Sequence, residues 1–403
     1  MKETFIYKPN HLFYTQEPLL GYKPGGYHPV NLGDSFKDGR YQVHHKLGWG
    51  KYSTTWLAYD KSNGYWVSLE IVTANADDSS RSRELHHLQL LEGKCKGRLS
   101  SKYVIQFLDI FSHSGPNGDH QCLVFELLGP PVEWVLMDYS AYADHTNPGK
   151  LEPGTIMRMS RQLLECIEFI HSAGMAHGAD MITDISGWTV VFSGKSLSTT
   201  RERIFKFVGT PEVEPLVRSD GRPLDEGLPT HLVKAIVWDN WVEEDHEDLR
   251  IIDFGRSFFQ WEKTRRIAKP GPFPAPETIF TGSFDYRVDL WRAGCVIYSF
   301  LFGTSPFTYK GDNNALVAQM IGLVGLNNMP EDWKAQCIPG HGLDRKSNTQ
   351  LSELKRRLVE QVNHPELIPL VPVIEGLMRL VPSSRITAST GLNLLSPKKR
   401  APN

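Results

Sequence analysis

The segment "IIDFG", Ile251–Gly255, is a short apolar strand that ends in a carboxylate, with a pliable glycine close behind. An aspartate so placed can hold Mg²⁺ on bound phosphates, because hard cations take oxygen ligands. Downstream come "APE" (Ala275–Glu277), "DYRVDLWRAG" (Asp285–Gly294) and "LMRLVPSSRITAS" (Leu377–Ser389). Upstream, "LGWGKYS" (Leu47–Ser53) lies between two strand-like runs, where its glycines let backbone N–H groups approach phosphates without side-chain obstruction. A dinucleotide-binding fold would open a helix after those glycines; here another strand follows, which disfavours it. Each triplet alone arises by chance, but the ordered set does not.

Around these motifs the chain changes character twice. Residues 1–40 are rich in Gly, Pro, Tyr and His and read as an extended leader. "YQVHHKLGWGKYSTTWLAYD" (Tyr41–Asp60) and "YWVSLEIV" (Tyr65–Val72) then predict three strands, and Leu85, Leu88 and Leu91 mark a helix whose start is capped by serines. "YVIQFLDIF" (Tyr103–Phe111) and "HQCLVFELLG" (His120–Gly129) complete a small sheet. Beyond Pro131 four segments show helical periodicity or are apolar nearly all round, as buried helices are: Thr155–Gly174, Asp289–Gly303, Asn314–Gly325 and Leu367–Val381. The long connection Gly194–Asp248 is either functional or a packed insertion, and its acidic run Glu243–Asp248 reads as solvated surface.

Composition sets the outer bounds. With 403 residues, the chain can build a large two-lobed domain. Lys+Arg 44 against Asp+Glu 46 leaves a formal charge of -2, so no global pull toward nucleic acid or anionic membrane is expected. Cys95, Cys122, Cys166, Cys295 and Cys337 are scattered without CxxC spacing, as reduced thiols of an intracellular protein are. No signal peptide or bilayer-length apolar run is read, so the expected location is intracellular, cytoplasmic or nuclear, with no membrane partner. "SPKKRAPN", Ser396–Asn403, is a short basic tail, too slight for a nuclear address.

Over residues 41–396 the motif set resembles the eukaryotic protein-kinase superfamily, and "GYHPVNLGDSFKDGRYQVHHKLGWGKYSTTWLAYD" with the "LVFELLG" hinge is most similar to the SR-protein serine/threonine kinases in their fungal form. The resemblance implies an α+β bilobal fold: a small β-rich N-lobe at 41–128 and a larger helical C-lobe at 129–396 carrying an insertion around 195–248. It implies that Leu47, Gly48, Gly50 and Ser53 cover a nucleotide, that Phe125 is the gatekeeper, and that Glu126 to Leu128 form the hinge. It makes Glu84 the helix-C glutamate, Asp253 the metal-binding aspartate, Asp289 a helix anchor, and Glu277–Arg385 a structural ion pair.

Three positions depart from that pattern. In "YWVSLEIV" the apolar residues Tyr65, Val67, Leu69 and Ile71 alternate, which puts Ser68 and Glu70 on the other face; Glu70 then stands where the family has its phosphate-contacting lysine. Two carboxylates about 4 Å apart repel by roughly 4 kcal/mol at an effective dielectric near 20, so Glu70 beside Glu84 implies a protonated acid or a displaced helix. The catalytic loop, "AHGADMITDISGWTVVF" (Ala176–Phe192), has two registers. With Asp184 as the base, Ser186 takes the lysine position and Thr189 the metal-binding asparagine position; with Asp180, Ile182 and Ile185 take them. The Asp184 register is preferred because it keeps the polar-to-apolar switch into "TVVF". Neither restores Lys or Asn.

Phosphoryl transfer depends on positioning and electrostatic stabilisation, so these losses predict impaired catalysis and a pseudokinase that works by binding or scaffolding a protein partner. The alternative is an active serine/threonine kinase that transfers the ATP γ-phosphate to Arg/Ser-rich protein substrates, with Asp184 as base and Asp253 on Mg²⁺. ATP and Mg²⁺ are the implied cofactors if the nucleotide site functions. Lys51 is the candidate replacement cation. His86, His87 and His171 are read as solvent or packing residues, and Trp291 and Arg292 as architectural.

Overall fold

A computed structural model describes the chain except residues 1–5, 76–77, 95–101, 142–150, 179–184, 195–199, 239–240, 242–246, 263, 266–273, 327–328, 338–351 and 397–403. Two compact units emerge. One comprises Met1–Ser79, Ile105–Pro130 and Ser193–Glu247; the other comprises Ser80–Val104, Pro131–Phe192 and Asp248–Asn403. This grouping cuts across the lobe boundaries expected from sequence: the leader and the insertion belong to the first unit.

The first unit is built on a six-stranded antiparallel sheet in the order β1-β2-β3-β4-β6-β5. Its strands are β1 (Ser35–Phe36), β2 (Tyr41–Gly50), β3 (Ser53–Asp60), β4 (Tyr65–Val72), β5 (Phe107–Gly115) and β6 (Gly118–Glu126). Alternation drives one face into a core where Val43, Trp56, Ala58, Val67, Leu69, Ile71, Cys122 and Val124 cluster, as patterned strands require. Val30 from the leader and Val233 from the insertion complete that core, which is why neither segment is a free connection.

In β4 the strand ends differ from expectation. Tyr65 is exposed, whereas Trp66 is buried on the opposite face among His44, Tyr59 and Phe205. Phe205 belongs to the helix Arg201–Val208, whose Ile204 and Val208 are also buried, so part of the second face is covered by the insertion. β5 shows no fully buried residue and begins only at Phe107, as suits an edge strand.

The second unit is helical. Val288–Phe302 is buried at every position from Val288 to Leu301, which accounts for its lack of a polar stripe. Pro153–Ser172, Leu370–Leu377 and Ala388–Leu395 pack around it or around one another. The Glu277–Arg385 pair forms as the resemblance implies: bidentate at 2.7 and 2.6 Å, nearly solvent-free, with the guanidinium over the Trp291 ring. No described helix is long and apolar enough to cross a membrane.

Candidate functional site

In the first unit the glycine-bearing segment is a tight hairpin. Gly50 pairs with Ser53 across the Lys51–Tyr52 turn. Neither Gly48 nor Gly50 has a positive φ, and a Cβ on either would meet nothing within 4 Å. The glycines therefore serve by leaving room above the strand, not by relieving strain. The hairpin is tethered twice: the Tyr27 hydroxyl donates to Gly50 O at 2.8 Å, and Thr73 N donates to Tyr52 O at 2.9 Å.

Glu70 sits mid-strand, opposite Thr55 on β3 and Leu123 on β6, half-buried, with core residues Leu69 and Ile71 on either side. Both ladders fix its side chain on the face away from the core. At the end of β6, Glu126 Oε1 accepts from Gln106 N at 2.9 Å, and Leu128 follows in Leu128–Pro131.

The two lysines that flank the glycines, Lys46 and Lys51, stand in different settings. Register shifts between Val43 and His45 and between Lys46 and Gly48 turn both His45 and Lys46 inward. The Lys46 ammonium lies on the Glu17 carboxylate, which also accepts from the Tyr22 hydroxyl, and sits 5.5 Å from the Trp56 ring centroid. Burial pulls the Lys46 pKa down and Glu17 opposes it. Lys51 is exposed at the hairpin tip, its ammonium 4.8 Å from the Tyr52 ring centroid.

In the second unit, Asp253 adopts φ +67, a left-handed conformation rare for a residue other than glycine. Its neighbours hold it there. Phe254 N donates to Glu84 Oε1 at 3.0 Å, so the helix Asp78–Lys94 is tied to the "DFG" backbone. Phe254 is fully buried against His177 at 4.9 Å, and Ser257 Oγ meets His87 Nδ1 at 2.6 Å.

Asp289 organises the stretch that ends at Gly178. Its carboxylate accepts from His177 N at 2.8 Å and Gly178 N at 3.2 Å, and lies 3.0 Å from His171 Nε2. Gly178 has φ +106 and passes so close to Arg256 that a Cβ would fall 2.2 Å from its carbonyl oxygen. Burial lowers the His177 pKa, and its Nε2 lies 3.0 Å from Ile252 O.

Asp184 and Asp180 lie outside the described residues. The loop resumes at Ile185. Ser186 and Thr189 are both buried and engaged with one another: Thr189 Oγ1 accepts from Ser186 N at 3.0 Å, and Ser186 Oγ accepts from Trp188 N. Thr189, expected at a metal, thus closes a turn with its hydroxyl, as Ser and Thr commonly do. Among the described residues no three His, Cys, Asp or Glu side chains form a group able to hold a metal ion.

The protein kinase domain family matches residues 238–394. Protein kinase dsk1 of Schizosaccharomyces pombe is 38% identical over 40% of this chain and 29% of its own length. Serine/threonine-protein kinase SRPK of Physarum polycephalum is 28% identical over 75% of this chain and 71% of its own. The crystal structure of the PF14_0431 kinase domain superposes with a TM-score of 0.58 at 15% identity, covering 92% of this chain and 99% of that one. Residues 238–394 match the protein kinase domain, the fold is that of a kinase domain, and the chain is similar to SR-protein kinases.

Residues 238–394 contain Asp253, Glu277, Asp289 and Arg385, whereas Glu70 and Ala176–Phe192 fall outside that match. The chain spans under a third of dsk1 and most of the Physarum kinase. His87 and His171, read from sequence as solvent or packing residues, meet Ser257 and Asp289, whereas His177 was not singled out, since a lone histidine beside apolar residues looks like packing. Only the spacing of His177 ahead of the kinase loop could have singled one out.

Proposed function

We propose that this kinase-fold protein acts by binding a protein partner and that phosphoryl transfer is impaired. The observation that carries the reading is Glu70, held mid-strand by two antiparallel ladders, at what the resemblance makes the position of the phosphate-contacting lysine. A carboxylate there opposes a polyanion, and the buried pairing of Lys46 argues against it as a substitute. The donor set is divided: Asp253 supplies an oxygen suited to Mg²⁺, Thr189 closes its own turn, and Glu70 does not fit a phosphate. Were a cation to bind, Asp253 would be the residue to hold it, and it would supply charge to offset a nucleotide's phosphates.

Two measurements test the reading. In a thermal-shift titration, ATP alone leaves Tm unchanged, and any rise requires Mg²⁺ or Mn²⁺, since ligand binding stabilises by mass action. Radiolabel transfer from ATP to an Arg/Ser-rich peptide stays at background. Reproducible transfer abolished by Asp253→Ala would establish the active serine/threonine kinase instead.

A further inference from the structure

A pocket of about 770 Å³ opens in the first unit, between the leader, the β5–β6 turn and the insertion. This is the size of a ligand site, not of a packing defect. Its walls are fixed. Asn117, itself buried, donates through Nδ2 to Tyr27 O at 2.7 Å and to Gly227 O at 2.8 Å, and accepts from Gly25 N at 2.7 Å. Lys8 N donates to Val217 O and Ser219 N to Ile6 O, which pins the start of the leader to the insertion. Three stretches far apart in sequence therefore present one preformed surface.

Chemistry of the lining is distinctive. Tyr7, Phe13, Tyr14 and Tyr22 contribute aromatic rings, and Pro18, Pro24 and Pro116 contribute rigid apolar edges. Tyr14 is 82% exposed and Leu20 63% exposed, so large apolar groups stand in water at the mouth. Beside them are two exposed carboxylates, Asp225 and Glu226, which make no ion pair among the described residues; Arg218 and Arg222 pair with Asp220, and Asp225 adds only to the field at Arg218. Among the described residues Lys23 is the one cation of the lining, against the two carboxylates.

From this combination we infer that the pocket docks a proline-rich peptide carrying arginine, supplied by a partner protein. Aromatic walls separated by proline edges suit a polyproline II segment, whose rings stack on tyrosine and whose unbonded carbonyls can accept from the exposed Tyr14 hydroxyl. The adjacent carboxylates select a guanidinium and repel an acidic segment. This inference stands apart from the nucleotide site: it requires neither ATP nor catalysis.

Fluorescence anisotropy on the full chain, without nucleotide, tests it with labelled peptides of repeated Pro-Pro-Arg, Gly-Gly-Arg and Pro-Pro-Glu. Pro-Pro-Arg should bind about tenfold or more tightly than either control, a difference of about 1.4 kcal/mol. The Tyr14→Ser/Leu20→Ser variant and, separately, Asp225→Lys/Glu226→Lys should each erase most of that preference; all four side chains are exposed, so folding is retained. Equal binding of Gly-Gly-Arg would reduce the effect to charge alone and overturn the inference. So would undiminished binding by both variants, or no binding of Pro-Pro-Arg.

Discussion

Glu70 and Lys46 show how single side chains decide the character of this protein. Glu70 was legible from sequence because strand alternation has a period of two and the neighbouring residues fix the register. Lys46 was not: it is brought inside by register shifts in β2 that no alternation rule anticipates, and its counter-ion lies 29 positions away in the leader. Breaking that pair leaves an uncompensated buried charge, so Glu17→Gln should destabilise the fold by about 3–5 kcal/mol in denaturant unfolding. The double variant Glu17→Leu/Lys46→Met should recover most of the loss, because an apolar pair of similar volume removes the desolvation cost. Glu70→Lys tests the opposite direction. If a carboxylate is what excludes the polyanion, this variant gains an ATP-induced Tm rise that the parent lacks.

At the scale of elements, the helix Arg201–Val208 is the clearest addition to what sequence patterning indicated. The long connection was recognisable as a packed insertion or a functional loop, yet nothing in its composition reveals which face of which sheet it covers. Ile204 is fully buried there, so Ile204→Ala should cost about 2–5 kcal/mol. Failure of that substitution to lower Tm would mean the helix is not part of the cooperative unit. Helices of the second unit were easier to place. Their apolar periodicity was strong, and only the loop geometry around Gly178 lay beyond pattern reading. There a positive φ and a backbone neighbour at 2.2 Å forbid a side chain. Gly178→Ala should destabilise by about 1–3 kcal/mol, measured by thermal unfolding.

For the whole molecule, acid is the informative variable. His28 from the leader meets His113 and His120 of the β5–β6 hairpin at ring distances of 4.7 and 4.9 Å. Burial first, then mutual repulsion with His113 and His120, pushes the His28 pKa down from 6.5 to about 3; His113 and His120 are lowered too. Above pH 6.5 the rings are neutral folded or unfolded and contribute no slope. Between 6.5 and about 3 the unfolded chain binds protons that the folded His28 refuses, so stability should fall as pH falls. His28→Leu should flatten that decline in a Tm–pH series, and an unchanged slope would show that other groups control acid sensitivity.

The same leader that carries His28 also supplies Glu17, Tyr27 and Val30. A recombinant fragment trimmed to begin at Tyr41, where regular strand patterning starts, would enter expression trials without the counter-ion of its own interior lysine. Its insolubility would then say nothing about the kinase scaffold, only about where the scissors fell.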